Sequence, residues 1–345
     1  SKNVAIGRDA LYTNTDSGQN NVAVGYAALL ANTAGDNNVA VGANALDSNT
    51  TASNNTGVGQ NALATNTTGE RNVAVGTNSL DANTTANNNT AIGFGALTTE
   101  DAGSYNTAVG TYALEMCNND TGRNVAVGNE ALEECTGGYY NNAVGSNALE
   151  SLTTGISNTA VGTNAGLMIT TGNTNTCIGV FANDAANTSS VTAVGYRALS
   201  FNTGNSNTAV GADSLLYNTS GVNNTAVGHY ALYTNTTATG NTAVGDNALY
   251  TTNGNANTGL GRHAGEIIST GIQNVCIGYD AGDEITTGSN NIALGYNAQS
   301  SSATVSNEIT LGNSSNDNLR CNDTSISSLS DRRDKTDIVD LPAGL

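Results

Sequence analysis

The residues best able to do chemistry in this chain are few and scattered. Five cysteines, Cys117, Cys135, Cys177, Cys276 and Cys321, include no pair at metal-ligand spacing such as Cys-x-x-Cys. The two histidines, His229 and His263, stand 34 residues apart, and no Ser-His-carboxylate grouping recurs with them. The acidic pair Asp283-Glu284 lacks the Gly-Gly-x-Gly-x-Asp pattern with which other β-rolls hold calcium. The expectation is no metal and no cofactor. Four tyrosines, Tyr217, Tyr230, Tyr233 and Tyr250, crowd one stretch. Exposed aromatic faces bind sugar rings, which makes them a candidate receptor patch; shielding of backbone edges is the plainer reading. Sequons such as Asn218-Thr219-Ser220 matter only for a product of a eukaryotic host, and otherwise are turn composition.

Composition narrows the classes further. The 345 residues carry 10 Lys+Arg against 28 Asp+Glu, a net charge of −18. Such a chain has no basic face for phosphate, which excludes a nucleic-acid binder. No stretch approaches the length of an apolar membrane span, and no charged-then-apolar leader opens the sequence. Charged residues make up only 11%, too few for charge-driven disorder. With 41 Gly, one Pro, no Trp and 38% hydrophobic residues, mostly Ala, Val and Leu, the chain suits a thin, layered structure rather than a thick core.

The element that must position all of these residues is a repeat. Asn3-Val4-Ala5-Ile6-Gly7 returns as Asn21-Val22-Ala23-Val24-Gly25 and again as Asn38-Val39-Ala40-Val41-Gly42, down to Asn291-Ile292-Ala293-Leu294-Gly295. There are 18 copies; of the 17 intervals between them 12 are 17 residues long, two are 18 and three are 16. A degenerate nineteenth copy is Glu308-Ile309-Thr310-Leu311-Gly312. With the first Asn as position 0, position 2 is Ala, Gly or Cys, position 3 is Val, Ile or Leu, position 4 is Gly, and position 7 is Ala or Ser. Position 8 is Leu in 13 copies.

Seventeen residues cannot build a self-sufficient domain, but they can build one coil of a parallel β-solenoid. Positions 1 to 3 read as a strand, with branched residues around a small one. The expectation is that position 3 points into the core, while position 2 faces a close neighbour that admits only a small side chain. Gly at position 4 marks a corner where a Cβ is forbidden. Positions 9 to 16, rich in Thr, Asn, Gly and Ser, close turns. At the inter-strand spacing, 18 coils give a rod of roughly 85 Å. Asn at position 0, as in Asn21, Asn38, Asn55 and Asn72, is expected to stack into an amide ladder. Gly166, Gly265 and Gly282 replace the position-8 Leu together with Ile169, Ile268 and Ile285 at position 11, which reads as the apolar contact moving three residues along the coil. Asn183 and Gln299 replace it without such compensation. Cys117 and Cys135 share position 11 on adjacent coils, a separation that suits a disulfide and that stacking alone also explains. Tyr233 and Tyr250 share position 9 and should stack. A face of small residues along the rod would invite packing against another copy.

The Asn-x-Ala-Val/Ile-Gly copies, as in Asn106-Thr107-Ala108-Val109-Gly110, resemble the head repeats of trimeric autotransporter adhesins, and similar repeats occur in phage tail and side fibres. The resemblance covers residues 3 to about 312 and implies a left-handed, parallel, homotrimeric β-roll. The segment Ser330-Asp331-Arg332-Arg333-Asp334-Lys335-Thr336-Asp337-Ile338 is similar to the opening of the intramolecular chaperone domain of endosialidase-type phage fibres. That likeness implies self-cleavage between Ser330 and Asp331, with Ser330 as nucleophile and Lys335 as its partner base. Fifteen residues follow Ser330, fewer than a helical chaperone body needs, so the chain is expected to be part of a longer precursor.

Together these readings give an all-β rod of about 18 coils over residues 1–312, a junction over 313–329 and the start of a chaperone domain over 330–345. The expected function is that of a structural fibre, a shaft or head on a virion appendage that contacts a host-surface glycan or protein. It is not an enzyme beyond self-cleavage, its main partner is itself, and it uses neither nucleic acid nor membrane insertion. The alternatives are a bacterial autotransporter adhesin head at the cell surface and an ice-binding solenoid.

Overall fold

The structure, a computed structural model, describes residues 2–14, 17–99, 103–118 and 121–316. Nineteen strands of three residues, from β1 (Val4–Ile6) to β19 (Ile309–Leu311), form one parallel sheet in which each strand pairs with the next in sequence. The register is exact in the sense of the repeat: Val22 pairs Val39, which pairs Thr56. Coils of 16 and 18 residues keep it too, since Thr176 pairs Thr192 and Val4 pairs Val22. The added or missing residue is therefore absorbed in the turns. The degenerate copy at 308–312 supplies the last strand.

The pleat runs opposite to the sequence expectation. Position 2 faces inward: Ala23, Ala40, Ala74 and Ala91 are fully buried. Positions 1 and 3 face outward, and Val41, Ile92, Val161 and Leu260 are among the exposed hydrophobic residues. The reason lies across the coil. A Cβ on Gly57, at position 2, would already lie 3.4 Å from the Leu46 side chain and 3.0 Å from Ala62 O. The position-8 Leu fills the space that a larger strand residue would need, so the small residue goes in and the branched ones go out. The expected outer face of small residues does not exist; the outer face is branched.

The corners run through left-handed backbone. Position 4 Gly has φ near +140°, as at Gly42 and Gly76, and a Cβ there would collide with the carbonyl of the corresponding Gly one coil on. Positions 6, 8 and 16 are also left-handed, as at Asn44 (φ 56°), Leu46 (φ 51°) and Asn54 (φ 64°). For a leucine that conformation costs about 1–2 kcal/mol, comparable to the roughly 1.5–3 kcal/mol gained by burying its side chain. This explains the compensated coils. Gly166, Gly265 and Gly282 adopt the same φ, 62–65°, without strain, and Ile169, Ile268 and Ile285 take over the buried volume. The thinner Gly also admits Cys at position 2: a Cβ on Gly265 would lie 3.4 Å from Cys276 Sγ.

One side of the interior is polar. Ala at positions 2 and 7 and Leu at position 8 line the other. The polar side holds buried asparagines at positions 0 and 11, such as Asn38 and Asn49. The coils are hydrogen-bonded to both neighbours well beyond the strands, for example Leu46 N to Ala62 O at 3.0 Å and Asn44 N to Tyr26 O at 2.9 Å.

Candidate functional site

What this molecule presents is a rod with two internal ladders and three external ranks of side chains. In the position-0 ladder the side-chain oxygen serves the next coil's backbone. Asn38 N donates to Asn21 Oδ1 at 2.9 Å, Asn55 N to Asn38 Oδ1 at 2.9 Å and Asn72 N to Asn55 Oδ1 at 2.9 Å. In most coils Nδ2 then donates across its own coil, as Asn55 does to Gly69 O at 2.8 Å. Val191, the one departure at position 0, still donates its N–H to Asn175 Oδ1 at 3.1 Å but has no side-chain oxygen to offer the following coil. At the far end Glu308 takes position 0: its N–H donates to Asn291 Oδ1, and its carboxylate turns back to accept from Ser301 N at 2.7 Å. Those hydrogen bonds to Ser301 lower the Glu308 pKa.

A second ladder, at position 11, was not anticipated. Asn49 Nδ2 donates to Asn32 Oδ1 at 2.9 Å, Asn66 to Asn49 at 3.0 Å and Asn83 to Asn66 at 2.7 Å. Its sequence signal was the recurrence of Asn at one place in an Asn-rich turn, which composition hides. Cys117, Cys135, Leu152 and Ile169 occupy the same position on later coils. Cys117 and Cys135 are thus core residues replacing ladder asparagines, fully buried as thiols. Cys135 Sγ donates to Gly138 O at 3.4 Å. Cys177 and Cys276 are buried as well, and burial pushes both thiols up to about 12. Asn183, unexplained by its spacing, places Nδ2 on Thr188 Oγ1 at 2.7 Å inside its 16-residue coil. Gln299 binds Asp280 O at 2.7 Å through its amide.

The first external rank is the branched face of the sheet. Position 3 is Val, Ile or Leu on all nineteen strands, and position 1 is Thr without interruption on seven, from Thr159 to Thr258. The second rank is aromatic. Phe201 stacks on Tyr217 with centroids 5.5 Å apart, Tyr217 meets Tyr233 edge-on at 5.1 Å, and Tyr233 stacks on Tyr250 at 5.1 Å. Tyr230 joins edge-on to Tyr233 and Tyr250. All four predicted tyrosines therefore form one cluster, with faces and edges largely spent on one another. Burial, with a hydrogen bond to Tyr217, raises the Tyr233 hydroxyl to about 12.

The third rank is acidic and was missed, although its signal is plain: Glu115, Glu133 and Glu150 share position 9 on successive coils. One carboxylate oxygen each from Glu130, Glu133 and Glu150 lies within 4.8 Å of the others. Partial burial, the Glu130 charge and a hydrogen bond with Glu115 push Glu133 up to about 7. His229 Nδ1 meets Asp246 Oδ1 at 3.1 Å, and His263 Nδ1 lies 3.3 Å from both Glu266 and Asp280. An open cleft at the C-terminal end is lined by Leu294, Tyr296, Leu311 and Asn313 and carries no carboxylate, histidine or cysteine. Among the described residues no helix is long and apolar enough to cross a membrane. Ser330, Asp331 and Lys335 lie outside the described residues, as do Cys321 and most of the expected junction. Comparison with protein-family models finds no match, and comparison with curated proteins finds none either.

Proposed function

We propose that this chain is the shaft or head of a structural fibre on a phage or phage-like appendage, that it associates with itself as a trimer, and that it contacts the host surface. The observation that carries the reading is the outward rank of Val, Ile or Leu at position 3, unbroken over nineteen strands of a regular rod. Nineteen coils at the strand spacing make it about 90 Å long, and three extended residues make it about 10 Å wide. That is roughly 900 Å² per copy, close to the share one partner contributes to a standard stable interface. Parallel copies would cover it evenly because every coil presents an apolar position 3 at the same place. The net charge of −18 then keeps assembled rods apart. Attachment would fall to the aromatic cluster around Tyr217, Tyr230, Tyr233 and Tyr250, with a surface glycan or protein as the ligand. The Ser330–Asp331 self-cleavage implied by the resemblance belongs to the same reading, with Lys335 as base.

The test is absolute mass in solution for this chain and for a version carrying a longer downstream region. A trimer, with the longer version trimmed after Ser330, supports the fibre. Monomers in both, uncut, refute it. The Thr rank from Thr159 to Thr258, beside a regular Val, Ile or Leu rank, favours one second reading, a surface that orders water against ice. Thermal hysteresis measured on the monomer tests it.

A further inference from the structure

We propose that the core holds one structural water where Thr252 interrupts the position-11 asparagine ladder beside Asn241, bound by Asn235 Oδ1, Asn241 Nδ2 and Thr252 Oγ1. Each of these three atoms is buried without a hydrogen-bond partner, on two adjacent coils. The repeat places them together. In complete coils the side chains at positions 0 and 11 converge on one carbonyl: Asn38 and Asn49 both donate to Ala52 O, at 2.8 and 3.0 Å. Asn224 and Asn235 do the same at Ala238 O, at 2.8 and 3.2 Å. Asn241 and Thr252 hold those two positions one coil later, so their side chains point at the same spot. The backbone bonds Leu232 N to Ala248 O and Thr234 N to Tyr250 O set Asn235 beside Thr252 across the coil boundary.

Two changes open the space. Thr252 stands where an Asn would have reached Asn235 Oδ1, as Asn235 Nδ2 itself reaches Asn218 Oδ1. The coil from 241 to 256 is also one residue short, and Gly254 O is taken by Asn257 Nδ2 at 3.1 Å. The other short coils solve this differently. Asn175 Nδ2 reaches Thr188 O at 2.7 Å, and Asn202 Nδ2 reaches Gly204 O at 2.8 Å. The 241–256 coil combines the deletion with a fully buried position-11 side chain, Thr252, too short to span the gap. Three buried polar atoms, one acceptor, one donor and one hydroxyl, are the number and kind that a buried water satisfies. The water donates to Asn235 Oδ1 and accepts from Asn241 Nδ2 and from the Thr252 hydroxyl. It thereby ties the position-11 ladder, which Thr252 would otherwise cut, to the continuous position-0 ladder at Asn241.

A high-resolution crystal structure of the whole chain tests this, with Thr252→Asn and Thr252→Val beside it. The expected result is one ordered water within about 3 Å of all three atoms in the parent chain. In Thr252→Asn it should be gone, with the new amide on Asn235 Oδ1. Amide hydrogen exchange in the coils around residues 235–257 should be faster in Thr252→Val than in the parent and no faster in Thr252→Asn. Should Thr252→Val fail to fold, the parent density still decides. The proposal is overturned if the parent shows no water and instead the Asn241 amide on Gly254 O with Thr252 bonded directly to Asn235. Exchange unchanged in Thr252→Val also overturns it.

Discussion

Replacing Asn55 with alanine should cost about 2–4 kcal/mol, although no apolar contact of consequence is lost. The side chain is fully buried. Its Oδ1 accepts the backbone N–H of Asn72 and its Nδ2 donates to Gly69 O. Truncation leaves the Asn72 N–H buried without a partner, at about 1–3 kcal/mol, and removes a further hydrogen bond of about 0.5–1.5 kcal/mol. Gly69 O is not stranded, because Asn66 Nδ2 also donates to it at 3.0 Å, and this caps the loss. Asn55→Asp separates the two bonds. It keeps the acceptor for Asn72 but sets an oxygen against Gly69 O and buries a charge. Burial raises the folded-state pKa of that carboxyl, so its stability contribution is present at low pH and is lost as pH rises through the raised value. The variant should be worst at neutral pH and recover in acid, where the protonated oxygen can donate to Gly69. The assay is denaturant unfolding combined with amide exchange at Asn72 and its neighbours, since damage in a solenoid is shared mainly between adjacent coils. A loss below about 0.5 kcal/mol, the range of ordinary surface substitutions, with Asn72 exchange unchanged, would refute the ladder as a source of stability.

Val191→Asn should restore the missing rung, supplying an oxygen to the N–H of Asn207, and raise stability by roughly 0.5–1.5 kcal/mol in the same unfolding assay. Val161→Lys and Val210→Lys place charges on the outward face without touching the core. The expected outcome is unchanged far-UV circular dichroism with the solution mass reduced from oligomer to monomer. Glu133, raised from its ordinary value to about 7 in the fold, binds more protons folded than unfolded between those values. Stability should therefore fall as pH rises from about 4.5 towards 7. Glu133→Gln should flatten that dependence, be more stable than the parent at pH 8, and match it in acid, as read from thermal midpoints across pH.

The coil and its stacking were legible because seventeen-residue periodicity leaves little choice of fold, and the all-β parallel solenoid follows from it. The pleat was not. In isolation, Val-Ala-Val reads naturally as branched residues seeking a core. Which face is inside depends on Leu46 and its equivalents reaching across the coil from a turn, and a strand motif carries no sign of that. Leucine at φ near +50° was equally hidden, since local preference argues against it and only the burial it gains sustains it. Gly166, Gly265 and Gly282 pointed to the truth indirectly: a residue replaced by Gly in several coils marks a left-handed position. The Asn at position 0 was read from its recurrence in all but one of the 18 copies, whereas the second ladder at position 11 lay among many other asparagines. The tyrosine cluster was legible as proximity, but not the mutual stacking that occupies the ring faces.

The outward face decides between the two functional readings, because they use the same atoms. A trimer packed through positions 1 and 3 would bury the Thr159–Thr258 rank, and buried hydroxyls cannot order external water. An ice-ordering surface needs that rank bare, hence a chain that stays single or associates elsewhere. Strands β1 and β19 and those between carry the branched position 3 throughout, whereas the continuous Thr rank occupies only seven strands. Association along the full rod uses the longer feature and explains why position 3 never becomes polar on any coil. Water ordering would leave the rest of that apolar stripe without a role. The Lys substitutions at Val161 and Val210 fall within the Thr segment, so one pair of variants addresses both readings. Loss of the oligomer assigns the face to self-association. An unchanged mass, together with loss of thermal hysteresis, would assign it to water.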